Sequence, residues 1–212
     1  MRNFFDSIRI PDTNISIRNK MINTSLIFLF GIVLGIFSKW LDNLSIDDTI
    51  WWQYIIGILD LCNIFSMFGI WLLIATTISV FSKTPLRASI NVFLFFVGMT
   101  VSYHLYTIYF SGFNPKNYMM IWYAMTLISP ILAYICWYAK GKNKISFIIK
   151  SIILSIMFIS SFNIGMWYFE SKSIIDFLIF IGSVLVLYVD FKSSIWSLLI
   201  AFMLSFIIRM IV

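Results

Sequence analysis

Asp60 and His104 are the residues of this chain best placed to do chemistry. Each lies beside an apolar run, and His104 is the sole histidine. At helical spacing His104 shares a face with Thr100, Thr107 and Ser111, flanked by Tyr103, Tyr106 and Tyr109. An ionisable side chain at bilayer depth costs about 2.5–3.5 kcal/mol on insertion scales, so it turns inward and takes a partner. A histidine titrates near neutrality, which suits it to pH sensing or proton transfer. Asp60 shares a face with Gln53 and Asn63. An Asp60–His104 pair could hold a cation or relay a proton. Asp60 beside Trp51, Trp52, Trp122 and Trp167 could instead hold an organic cation between charge and aromatic faces.

Each residue also has a structural reading. His104 could be a neutral imidazole bonded to a neighbouring hydroxyl or carbonyl. Asp60 could cap a helix, and the tryptophans could form an interfacial belt. Asp60, Asn63, His104, Tyr106, Thr107 and Trp122 are therefore the expected lining of a ligand site. No catalytic residue, metal site or cofactor is expected. HExxH, P-loop and GxSxG motifs are missing from the sequence, and one histidine excludes a multi-histidine metal centre. Ser102 and His104, two positions apart, point away from each other on a helix. Cys62 and Cys136 fall near opposite membrane faces in the expected topology, too far apart to pair.

The elements that must position these residues are apolar helices. The 212-residue chain is 61% hydrophobic and 11% charged, with mean hydropathy +0.95, too apolar for a water-soluble globule. Spans of about 20 apolar residues are expected at Thr24–Trp40, Asn63–Ser82, Ala88–Phe110, Tyr118–Ala139, Ile145–Tyr168, Ile174–Val189 and Ser194–Ile211. The fold class is thus all-α, a polytopic transmembrane bundle of seven spans, or six if the last two form a re-entrant hairpin. Residues 1–23 form a basic cytoplasmic segment, lying on the membrane surface or free as a tail, and residues 24–212 form the helical domain. Leu26–Phe37 resembles a signal-peptide core without a small-residue cleavage site, so it is expected to be a retained span. Ser45 followed by Asp48 marks an expected start for an interfacial helix over Ile46–Leu59. Pro130 interrupts the fourth span, freeing a carbonyl that a neighbour must satisfy.

Charge orients the bundle. With the amino terminus inside, 11 of the 15 basic residues fall on the inner side, leaving Lys39, Lys116, Lys172 and Arg209 outside. The net charge of +6 is therefore topological; no basic stripe suits nucleic acid. Glu170 and Asp176 are expected to be solvated. The isoleucine-, asparagine- and lysine-rich usage points to a bacterial plasma membrane.

In the first span Gly31 and Gly35 form GxxxG, which lets another helix approach closely. With that motif, its size, span count and basic balance, the chain resembles the substrate-binding subunits of energy-coupling-factor vitamin transporters. That resemblance implies a small-xxx-small contact with a membrane partner subunit. The leading functional expectation is binding or transport of a small molecule through an outward-facing site. The alternative is a non-catalytic membrane subunit, such as a regulatory or immunity factor working through a protein partner. A third is an intramembrane lipid-modifying enzyme built on Asp60 and His104.

Overall fold

Capping side chains mark where four of the described helices begin. The computed structural model describes residues 2–12, 14, 16–165 and 168–211. A short helix, α1 (Arg2–Ile8), precedes α2 (Ile17–Asp42), which Ser16 caps. Then come α3 (Trp51–Ile58), α4 (Leu61–Ser66) and α5 (Phe68–Phe81). Thr84 caps α6 (Pro85–Phe110), whose first position is a proline that needs no N–H partner. Gly112 at φ 72° turns the chain into α7 (Lys116–Trp137), which ends in a tight turn over Tyr138–Lys140. Next are α8 (Lys144–Ser161), a hairpin of β1 (Phe162–Ile164) and β2 (Phe169–Ser171), α9 (Ile174–Leu187) and α10 (Phe191–Ile211).

Among the described residues five helices, α2, α6, α7 with its turn, α8 and α10, are long and apolar enough to cross a membrane. By length and composition the chain is a multi-pass membrane protein, and its outer surface is covered by exposed leucine, isoleucine and phenylalanine. The apolar helices α5 and α9 have only 14 residues each. At about 1.5 Å per residue they fall short of a core roughly 30 Å thick.

Several expected boundaries move. The span expected over Asn63–Ser82 is broken at Met67, whose backbone is extended (φ −93°, ψ 156°). The Trp71 indole N–H donates to Phe65 O at 2.9 Å, satisfying a carbonyl at that break. The fifth span stops at Ser161 rather than Tyr168, because Phe162–Ile164 pairs antiparallel with Phe169–Ser171. Lys172 Nζ donates to Ser160 O at 2.7 Å, closing the exposed end of α8. The interfacial helix starts at Trp51, not Ile46. Asp47 instead accepts from Thr49 N at 2.9 Å, and Gln53 Oε1 accepts from Asp47 N at 2.7 Å. Asp176 is buried (3% exposed), because Ser173 caps α9 and donates to its carboxylate at 2.9 Å.

Helices α2 and α7 both pack closely on α6, and α8 packs on α10, with the short pair α5 and α9 touching both groups. Gly31 and Gly35 make the contact of α2 with α6 possible. A Cβ on Gly31 would collide with Phe95 O, and one on Gly35 with Met99 O; Gly98 of α6 returns the contact against Phe28 O. The GxxxG face, which by its spacing could serve either packing within the chain or a partner subunit, packs within the chain. Helix α7 lies on α6 and α5, and Trp71, Phe95, Met99, Met119 and Trp122 form the core between them. At the end opposite Asp42, Ile8 is buried against Ala88, Trp137 and Tyr138, so the amino-terminal segment is docked rather than free.

Candidate functional site

A crevice opens between α7 and α8. These helices meet chiefly through the turn that joins them, and α5 runs behind the gap. The space is about 240 Å³. Its floor is Trp71, Ala75 and Thr76 of α5. Leu132 and Ile135 of α7 and Ile152 and Ile156 of α8 form the rim, each about half exposed (50%, 47%, 48% and 45%). The mouth thus faces the apolar surroundings of the bundle. Trp122 closes one end, stacked on Phe68 at 5.0 Å and edge-on to Trp71 at 6.3 Å.

Pro130 lies in α7 beside Ser129, one of the residues lining this crevice. Proline has no N–H to give to the carbonyl four residues back. Ser129 Oγ donates to that carbonyl, Thr126 O, at 2.8 Å. One turn on, Ser79 of α5 donates to Ala133 O at 2.7 Å. Thr126 Oγ1 also donates to Trp122 O at 2.8 Å and meets Thr100 Oγ1 at 3.1 Å. Thr76, Ser129 and Cys136 are the polar side chains lining the space, and among the described residues no charged group does. An ion inside would be stripped of water with no counter-charge, which excludes a charged occupant from the interior.

The Asp42 end holds a second cluster. Asp42 accepts from Tyr103 Oη at 2.6 Å and from Ser66 Oγ at 3.1 Å, and Lys39 Nζ stands 3.8 Å away. Lys39 is buried (7% exposed), with its ammonium 5.5 Å from the ring centres of both Tyr103 and Phe113. The attraction of ammonium to ring faces and carboxylate holds the helix ends together. The signal for it was the Lys39/Asp42 spacing of three at the end of an apolar run.

The residues expected to form one site are dispersed. Asp60 is exposed in the turn between α3 and α4 at φ 52°, a conformation that aspartate tolerates better than most residues. Its Oδ1 accepts from Asn63 Nδ2 at 2.8 Å. His104 uses both ring nitrogens elsewhere, with Nδ1 at 2.6 Å from Tyr123 Oη and Nε2 at 3.0 Å from Asn114 Oδ1. An amide oxygen only accepts, so Nε2 carries the proton and Nδ1 takes the tyrosine hydroxyl's hydrogen. Thr107 is buried and donates to Tyr103 O of its own helix at 2.8 Å. Tyr106 stacks on Phe110 at 4.6 Å beside a shallow apolar groove between α2 and α6. Of the six, Trp122 lines the crevice. Trp167 lies outside the described residues.

No protein-family model, curated protein or solved structure matches the chain. What the geometry offers is a lateral, nearly apolar recess with a few hydroxyls and one thiol along its wall.

Proposed function

We propose that this chain binds a small, mostly apolar molecule within the bilayer, in the crevice between α7 and α8. All seven apolar helices span, α5 together with α4 and the short α9 through local thinning of the bilayer. The amino terminus lies in the cytoplasm, since the loops at the Arg9 end carry most of the basic residues.

The observation that carries this reading is the crevice, whose mouth lies among half-exposed apolar side chains. Lipid tails are as apolar as leucine, so no hydrophobic effect drives a ligand into such a place. The driving force is dispersion, because an unfilled recess forfeits contacts that an occupant restores. Thr76, Ser129 and Cys136 offer weak, directional contacts that favour one orientation over another.

Membranes containing the protein and a photoactivatable diazirine fatty acid provide the test. Cross-links should concentrate on the α7 and α8 peptides that line the crevice, and Leu132→Trp, which fills the mouth, should remove them. Labelling spread evenly over lipid-facing α2 and α10, unaffected by Leu132→Trp, overturns the reading.

A further inference from the structure

We infer that the occupant is an anionic phospholipid, with one acyl chain in the α7–α8 crevice and its phosphate on the lysines of the turn that closes it. This inference rests on the crevice reading and gives its ligand a chemical class.

Length supports a single chain. On α7 the lining runs from Trp122 to Cys136, and on α8 from Ile149 to Met157. At about 1.5 Å per residue these stretches cover roughly 21 and 12 Å, bracketing the ~15 Å depth of one leaflet's hydrocarbon. The apolar lining excludes a head group from the interior, so the polar end of the molecule must lie at an end of the crevice.

One of those ends is basic. The turn joining α7 to α8 reads Lys140-Gly141-Lys142-Asn143-Lys144, three lysines in five residues with no acid between them. Lys142 and Lys144 are exposed, and Lys140 Nζ lies 4.3 Å from the centre of the Phe81 ring, beside the end of α5. The ion pairs among the described residues are Lys39–Asp42 and Lys83–Asp12, so none of these three lysines is held in an ion pair there. Lys144 also opens α8, where the helix dipole favours an anion. The other end is closed by Trp122 stacked on Phe68, and Lys39 on that side is already paired with Asp42. A lipid in the leaflet on the lysine side would place its phosphate at this turn and its chain directly along the gap.

The test offers delipidated protein in mild detergent an equimolar mixture of phosphatidylglycerol and phosphatidylcholine with identical chains, with bound lipid read by native mass spectrometry. Wild type should retain one phosphatidylglycerol in preference. The triple variant Lys140→Gln/Lys142→Gln/Lys144→Gln should still hold one lipid but lose about fivefold or more of that preference. Leu132→Trp and, from the opposite wall, Ile156→Trp should retain neither lipid. Equal retention of both lipids by wild type, or an unchanged preference in the triple variant, overturns the phospholipid assignment and leaves the crevice reading standing. Lipid retention unchanged in both tryptophan variants overturns the crevice reading itself.

Discussion

Arg9 shows how much one side chain can do at a helix end. Its guanidinium donates to Trp137 O at 2.6 Å and to Val80 O at 2.8 Å, and lies 4.1 Å over the Trp137 ring. Both carbonyls belong to last turns, where the helix has no N–H to offer them. Arg9→Ala should lower the unfolding free energy by about 1–3 kcal/mol, the cost of leaving such groups unmet, seen as an earlier thermal midpoint in detergent. Arg9→Lys should recover only part of that, because an ammonium lacks the planar fork that reaches both acceptors. Thr100→Val removes a single hydroxyl contact with Thr126, and in a bilayer such contacts average about 0.6 kcal/mol. Its midpoint should barely move. The sequence showed Arg9 as one of several basic residues near the amino terminus, and nothing in its spacing pointed to residues 80 and 137. For His104 the residue type and face were legible, but its partners Tyr123 and Asn114 come from the next helix and the loop before it. Composition cannot tell such partners from Asp60.

At the scale of elements, helices were readable where a cap, a proline or a glycine punctuates the chain. The bounds at Thr84–Pro85, Gly112 and Pro115–Lys116 follow from local backbone chemistry. The break at Met67 does not, because its stabilising bond comes from Trp71 reaching back to Phe65. Nor does the hairpin after Ser161, where apolar residues continue and only strand pairing ends the helix. The consequence foreseen for Pro130 is present: Ser129 takes up the carbonyl it frees. GxxxG was legible as a close-approach face, whereas its target had to be seen. Gly31→Val should push α2 from α6 against the Phe95 carbonyl, at about 1–3 kcal/mol for an overpacked contact. Thermal unfolding of the variant in detergent checks this. A midpoint equal to that of wild type would mean that α2 and α6 do not meet through this face.

At the scale of the whole molecule, the amino-terminal segment closes one end of the bundle. Beyond Arg9 it is fastened by Asp12, which accepts from Lys83 Nζ at 2.6 Å while its N–H donates to Lys83 O at 3.0 Å. Those bonds hold the Asp12 carboxyl below its ordinary pKa, the side-chain bond from Lys83 being the largest cause. A carboxyl lowered in the folded state contributes stability above its unfolded pKa of about 3.9 and loses it as pH falls further. Proteolysis of the amino-terminal segment should therefore quicken below about pH 4. In Asp12→Asn the cleavage rate should be higher at neutral pH and less sensitive to acid. The same clasp has a consequence for biosynthesis. Arg9 and Trp137 are 128 residues apart, and at about 5–20 residues per second a ribosome needs roughly 6–26 s to pass from one to the other. During that interval the segment can already grip Val80 and Lys83 at the end of α5, but its hold on α7 has to wait for Trp137. The segment that is translated first is thus tied to α7 only after half of the chain has followed it.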